Sequence, residues 1–187
     1  MPQSAVLLID LQRDFLDSET GRMPVDRDAA LAVLGEANEI LAGRSIVTAV
    51  PILVVNQFSP SARIANIFRH GAAVRGTPGA ELDPRVRPPP QIKVITKEQP
   101  SAFTNPELER FLRSSGVKTI YVLGVFAEGC VRATVADARR RHYETIVVAD
   151  AVATNAAWKK RFALWAMKRS GAKFCESLVS AVQAPAE

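Results

Sequence analysis

The sequence has little from which to build a disulfide framework or a closed metal site. It contains two cysteines, Cys130 and Cys175, and two histidines, His70 and His142. Two cysteines cannot staple a small secreted domain, and neither lies in a Cys-x-x-Cys pair. A structural zinc site needs about four ligands. Long hydrophobic runs are also missing, none approaching the ~18 apolar residues of a membrane span. The chain enters an apolar segment straight after Met-Pro-Gln-Ser with no basic leader, so no secretory signal is read there. The expectation is a soluble, cytoplasmic protein without a membrane partner, a setting that disfavours a disulfide. Acidic residues are in the minority, 19 against 24 basic ones, for a net charge of +5. The basic clusters at Arg139–Arg141 and Lys159–Arg161 could mark a nucleic-acid surface. Both fall in amphipathic helical segments, however, so they are read as solvated helix faces and no nucleic-acid partner is expected.

What the chain does have is a run of short apolar segments alternating with helical patterns. Its 187 residues suit one domain, 1–187, with a sizeable core. Strands are expected at Ala5–Asp10, Pro51–Asn56, Gln91–Thr96, Lys118–Gly124, Thr145–Ala149 and Ala172–Cys175. Helices are expected from Asp26 to about Arg44, from Asn105 to about Ser115, and over Glu128–His142, Asn155–Ser170 and Ser177–Val182. Asn105 has the chemistry of an N-cap, with Pro106 at the first helical position. The segment Gln57–Pro90 is too long for an ordinary connection, and such loops are usually functional. This alternation predicts an α/β fold, a three-layer, Rossmann-like arrangement around a mostly parallel six-stranded sheet. The strands are apolar nearly throughout, as strands covered on both faces should be.

Ligand sites in such sheets lie beyond the carboxyl ends of the strands. Three reactive side chains fall there: Asp10 at the end of strand one, Lys97 directly after strand three, and Cys130 at the first turn of the helix after strand four. Singly, each has an ordinary explanation, as a cap, a surface lysine or inert packing. Together they make chemical sense. A helix N-terminus and an ammonium both favour a thiolate, a carboxylate can take and return the thiol proton, and N–H groups in the turn could hold an oxyanion.

The opening segment AVLLIDLQRDF has Asp10, Gln12, Asp14 and Phe15 in an Asp-x-Gln-x-Asp-Phe pattern, which resembles the first strand of the isochorismatase-like hydrolases. The stretch from VITKEQPSAF to VVADA resembles that family's core. It has Lys97 followed by Ser101–Phe103, a Gly-Val stretch leading to Cys130-Val131, and an Ala-Thr and Asp-Ala helix. GTPGAEL at Gly76–Leu82 also matches. The resemblance implies a Cys–Asp–Lys hydrolase with Cys130 as nucleophile, Asp10 as general base and acid, and Lys97 as the supporting cation. It implies a cis peptide at Val125–Phe126 and an oxyanion hole formed by the N–H groups of Phe126 and Cys130. It further implies a homo-oligomer, a dimer or larger.

Nicotinamidases of that family carry an Asp and two His residues after strand two, which bind a metal. The matching NQFSPSARIANIFRHG has no Asp and only His70, so neither a metal nor any other cofactor is expected, and nicotinamide is disfavoured as substrate. His70 is read as a solvent-facing loop residue and Cys175 as a buried structural thiol. Gln12, Phe15, Phe58, Phe103 and Glu128 are the candidate pocket residues, with Phe103 the foremost choice for a wall and Phe126 bulky enough to narrow the site. The leading reading is hydrolysis of a C–N bond in a small amide or carbamoyl compound through a thioester. Vinyl-ether hydrolysis of isochorismate and a non-catalytic, partner-binding role on the same scaffold are the alternatives. Rapid alkylation of Cys130 would separate a catalytic from a structural thiol.

Overall fold

In the computed structural model, which describes residues 3–179, the strands are β1 (Ser4–Ile9), β2 (Val50–Asn56), β3 (Lys93–Lys97), β4 (Thr119–Val125), β5 (Glu144–Ala153) and β6 (Lys173–Cys175). They form one sheet in the order β3-β2-β1-β4-β5-β6, and every pair is parallel. The helices are α1 (Arg13–Leu16), α2 (Arg27–Leu41), α3 (Arg63–Phe68), α4 (Pro106–Ser114), α5 (Arg132–Arg140) and α6 (Ala157–Arg169).

The alternation along β1 shows how the layers are built. Val6 and Leu8 join the core that contains Val33, Leu34 and Ala37 of α2. Ala5, Leu7 and Ile9 join the one containing Leu108 and Leu112 of α4, Val135 of α5 and Ala163 of α6. All five strand residues have no exposed surface. Each fully buried Leu or Ile contributes roughly 1.5–3 kcal/mol relative to exposure, so strands covered on both faces anchor the domain.

Local signals start the helices. The Asp26 carboxylate accepts from the Ala29 N–H at 3.0 Å and caps α2. Asn105 accepts from the Glu107 N–H at 2.9 Å and caps α4 with Pro106 at its first position. Gly124, where β4 passes β1, has φ +118°, and a Cβ there would lie 2.1 Å from the Ile9 carbonyl oxygen, so no larger residue fits.

Several expectations change. α2 stops at Leu41, three residues short of Arg44. β5 runs on to Ala153, because after a shift in register its second half pairs Val152 with Gly124 and Ala153 with Val125. The helix expected over Glu128–His142 is interrupted. A wide turn, Ala127–Val131, with non-helical Gly129 (φ −103°, ψ −106°), precedes α5, so Cys130 sits in that turn rather than in the α-helix. Gln57–Pro90 is structured, with α3, a short 3-10 turn at Pro78–Ala80, and bridges from Phe58 to Val74 and from Leu82 to Gln12. Of the helix expected at Ser177–Val182, residues 180–182 lie outside the described residues. Ser177–Val179 is not helical, and Val179 bridges to Ser45. Among the described residues, no helix is long and apolar enough to cross a membrane.

Candidate active site

The sheet register brings distant residues abreast at its carboxyl edge. Asn56 pairs with Lys97, and Ile9 pairs with Val54 and Gly124. One residue past Ile9, Asp10 leaves the strand in the left-handed region (φ 57°), its N–H still bonded to the Val54 carbonyl at 2.8 Å. Aspartate tolerates this conformation better than most residues. The Lys97 ammonium donates to Asp10 Oδ2 at 3.0 Å, and both side chains are completely or almost completely buried. Asn56, also buried, donates from Nδ2 to the same Oδ2 at 2.8 Å and to Cys130 Sγ at 3.5 Å. Asp10, Lys97 and Cys130, 120 positions apart at the extremes, are thus linked through one carboxylate oxygen and one amide, while the other oxygen, Asp10 Oδ1, is buried without a hydrogen-bond partner among the described residues.

Burial at this cluster works against charge on both Cys130 and Asp10, and Lys97 opposes it. Burial pushes the Cys130 thiol up to about 12, with the Asp10 charge adding to the rise and Lys97 opposing it. Burial also raises Asp10 above the ordinary aspartate range, against the lowering effects of Lys97 and of hydrogen bonding. At neutral pH the thiol is therefore held in its protonated form. The turn before α5 does not by itself produce a free thiolate.

The rest of the Asp10–Phe15 motif supports the site. Gln12, fully buried, does not line the pocket as expected. Its Oε1 accepts from the Asn56 N–H at 2.8 Å, and its Nε2 donates to the Asn56 carbonyl at 2.8 Å and the Ala80 carbonyl at 2.7 Å. It thereby fixes the end of β2 and the Pro78–Ala80 turn. Asp14 accepts from the N–H groups of Ala73 at 2.8 Å and Arg22 at 3.2 Å and presses against Gly79, where a Cβ would meet its carboxylate at 2.0 Å. The close-packed Gly79 belongs to the GTPGAEL stretch, so the two matched segments are physically one clamp.

A pocket of about 380 Å³ opens onto Asp10, Asn56 and Cys130. Phe15, Phe58 and Glu128 line it as expected, and Phe126 joins them, its ring edge-on to Phe15 at 5.5 Å. Phe103 does not line it. The short 3-10 turn Ala102–Thr104 directs its ring into the core on the α5 side, stacked on Tyr143 at 6.0 Å and beneath the Arg141 guanidinium. Sequence reasoning missed Asn56, Arg69 and Lys159 at this pocket. Arg69 stacks over Phe58 at 3.8 Å, and Lys159 lies 3.6 Å from Glu128. Nothing in the local sequence marks Arg69 or Lys159 out from other surface cations, but Asn56, a polar residue ending an apolar strand, was a usable signal. Cys175 is only half-buried, a free thiol packed against the α2-side core.

Comparison with known proteins gives this geometry its family. The family model described as Isochorismatase domain matches residues 4–177. The chain belongs to the isochorismatase family. It is 32% identical over 151 residues to an uncharacterised isochorismatase family protein of Bacillus subtilis, covering 81% of this chain and 78% of that one. It is 30% identical over 160 residues to a probable inactive nicotinamidase of Arabidopsis thaliana, covering 80% of each. Among solved structures, the pyrazinamidase of Pyrococcus horikoshii in complex with zinc superimposes with a TM-score of 0.81 at 31% identity, over 94% of this chain and 99% of that one.

The zinc of that relative raises the question of whether this isochorismatase-family hydrolase could hold one. After β2, where the resemblance puts nicotinamidase metal ligands, stand Gln57, Phe58 and Ser59. His70, which follows Arg69 in sequence, is exposed at the pocket rim. One imidazole alone is a poor donor set for a divalent ion. Among the described residues, no three of His, Cys, Asp and Glu converge as a metal site. The residues present do not fit the metal.

Proposed function

We propose that this protein hydrolyses a C–N bond of a small amide or carbamoyl compound, with Cys130 as nucleophile, Asp10 as general base and acid, and Lys97 as the cation that keeps Asp10 ionised. The observation that carries this reading is the buried Lys97–Asp10 pair set beside the Cys130 thiol at the floor of the pocket. Because the thiol is held protonated, attack and proton transfer occur together. The Cys130 sulfur forms a bond to the carbonyl carbon as its proton passes to Asp10, and the carbonyl electron pair moves onto oxygen. The N–H groups of Phe126, after the cis Val125–Phe126 peptide, and of Cys130 receive that oxyanion. Collapse breaks the C–N bond, and Asp10 returns the proton to the departing nitrogen. Water then gives a proton to Asp10 and attacks the thioester carbonyl, the C–S bond breaks, and Asp10 returns that proton to the Cys130 sulfur.

The relative named pyrazinamidase supports C–N rather than vinyl-ether chemistry, since a vinyl ether needs protonation at carbon and has no use for a thiol. The relative named a probable inactive nicotinamidase keeps a non-catalytic scaffold in view; the complete Asp10, Lys97 and Cys130 set weighs against that here. Self-association and a cytoplasmic location belong to the same reading and are tested by light scattering and cell fractionation. The decisive experiment measures ammonia release from a panel of small amides by wild type and Cys130→Ala, with mass spectrometry of the trapped enzyme. Release by the wild type, an acyl adduct on Cys130 and a folded, inactive variant are expected. Near-normal turnover by Cys130→Ala would sink the covalent mechanism.

A further inference from the structure

The basic cluster Lys159–Arg161, which the sequence presents as a solvated helix face, lies in α6, and that helix has a second apolar face that no described residue covers. Ala163 and Met167 point into the core. On the opposite side stand Trp158, Phe162 and Trp165, spaced four and three residues apart and so aligned in one stripe. They are 63%, 51% and 57% exposed, and the rings of Phe162 and Trp165 lie 5.9 Å apart. A cluster of large aromatic side chains held together in water marks a contact surface.

Charge decides what fits it. The helix carries Lys159, Lys160, Arg161, Lys168 and Arg169 and no acidic residue. Arg161, Lys168 and Arg169 are exposed along the stripe and form no ion pair among the described residues. Just past the helix, Arg139 packs on Gly171 and Arg140 shares a shallow groove with Ser170, which brings the second basic cluster alongside, although Asp137 pairs with Arg140. A second copy is a poor cover, because a two-fold contact through α6 would set these cations against themselves. A single nucleic-acid strand needs a groove with open ring faces. Here the surface is a convex helix, and a cation already sits over each indole, Lys159 over Trp158 at 5.9 Å and Arg169 over Trp165 at 5.7 Å. An anionic bilayer suits both features. Trp and Phe enter the headgroup boundary, while Lys and Arg keep their charges among the lipid phosphates.

We infer that α6 docks this protein on the surface of an anionic lipid bilayer, with Trp158, Phe162 and Trp165 inserted and Arg161, Lys168 and Arg169 paired with lipid phosphates. Such a contact needs no spanning helix, and it replaces the expectation of a chain without a membrane partner. It stands independently of the hydrolytic reading. It also sets the pocket near the headgroups, since Lys159 in the first turn of α6 lines that pocket.

The two tryptophans of the chain are Trp158 and Trp165, so intrinsic fluorescence reports on the stripe alone. The full chain is titrated with vesicles of phosphatidylcholine and with vesicles containing about one-third phosphatidylglycerol, and binding is checked by flotation. Anionic vesicles should shift the emission to the blue and shield it from acrylamide. Neutral vesicles should bind at least about 10-fold more weakly, and high salt should reverse the anionic binding. The triple variant Arg161→Glu, Lys168→Glu, Arg169→Glu should partition about 100-fold more weakly. Phe162→Asp, which keeps both reporters, should lose about 10-fold. These positions are exposed, and circular dichroism checks each fold; Lys168→Glu alone carries the comparison if the triple variant does not fold. No shift at saturating anionic lipid, or equal binding to neutral vesicles, would overturn the inference. So would a blue shift with a single-stranded oligonucleotide and none with vesicles. A blue shift that grows with protein concentration in the absence of lipid and is lost in Phe162→Asp would give the stripe to a second copy and overturn it too.

Discussion

Removing the Lys97 ammonium should disable the site by protonating its base. In Lys97→Ala the Asp10 carboxylate, 1% exposed, loses the cation 3.0 Å away. Stranding a buried charge in this way costs roughly 3–5 kcal/mol. The protein avoids most of that cost by keeping Asp10 protonated. The stranded charge therefore lifts the Asp10 pKa further, from a value that burial has already raised. The base is active only when ionised, so activity falls as pH drops through its pKa, and a higher pKa moves that acid limb upward. The variant should therefore hydrolyse about 10²–10⁴-fold more slowly at pH 7 and regain part of the loss as pH rises. Lys97→Arg should not rescue it, because a planar guanidinium does not fit a fully enclosed ammonium site. The assay is the pH dependence of kcat/KM together with that of Cys130 alkylation. An acid limb left in place in folded Lys97→Ala would refute the reasoning and return Lys97 to a structural role.

Three further outcomes can be measured. The Cys130 thiol, raised to about 12 in the folded state, retains a proton that the unfolded chain loses; stability should fall as pH rises through the ordinary thiol range toward that value, and urea titrations of Cys130→Ala should show a shallower decline. Gln12→Ala removes three hydrogen bonds at the end of β2 and should destabilise by about 2–4 kcal/mol while lowering activity, which thermal melts and turnover would report, and a loss below about 0.5 kcal/mol would contradict the clamp role. Chelation with EDTA should leave amide hydrolysis unchanged, because the donors after β2 do not suit a divalent ion; activity lost to EDTA and restored by zinc or manganese would show that the site works through a bound ion.

The linear sequence determined the alternation of apolar strands and amphipathic helices, because covering both faces of a parallel sheet leaves the strands nearly uniformly apolar. That pattern, with the rule that sites lie at strand carboxyl ends, was enough to single out Asp10, Lys97 and Cys130, and Asn105 announced the start of α4 through its own chemistry. What the sequence could not supply were properties set by partners far along the chain. Gln12 looked like a pocket residue, but its amide is taken up by Asn56, 44 positions away, and Ala80, 68 positions away. Phe103 looked like a wall, but a 3-10 turn rotates it to the opposite core beside Tyr143. The extra length of β5 came from pairing with Gly124 after a register shift that local propensity does not encode. The protonation of the Cys130 thiol was likewise decided only by the fold, since desolvation and the charge of Asp10 act on it through space, and neither can be read from the residues next to it.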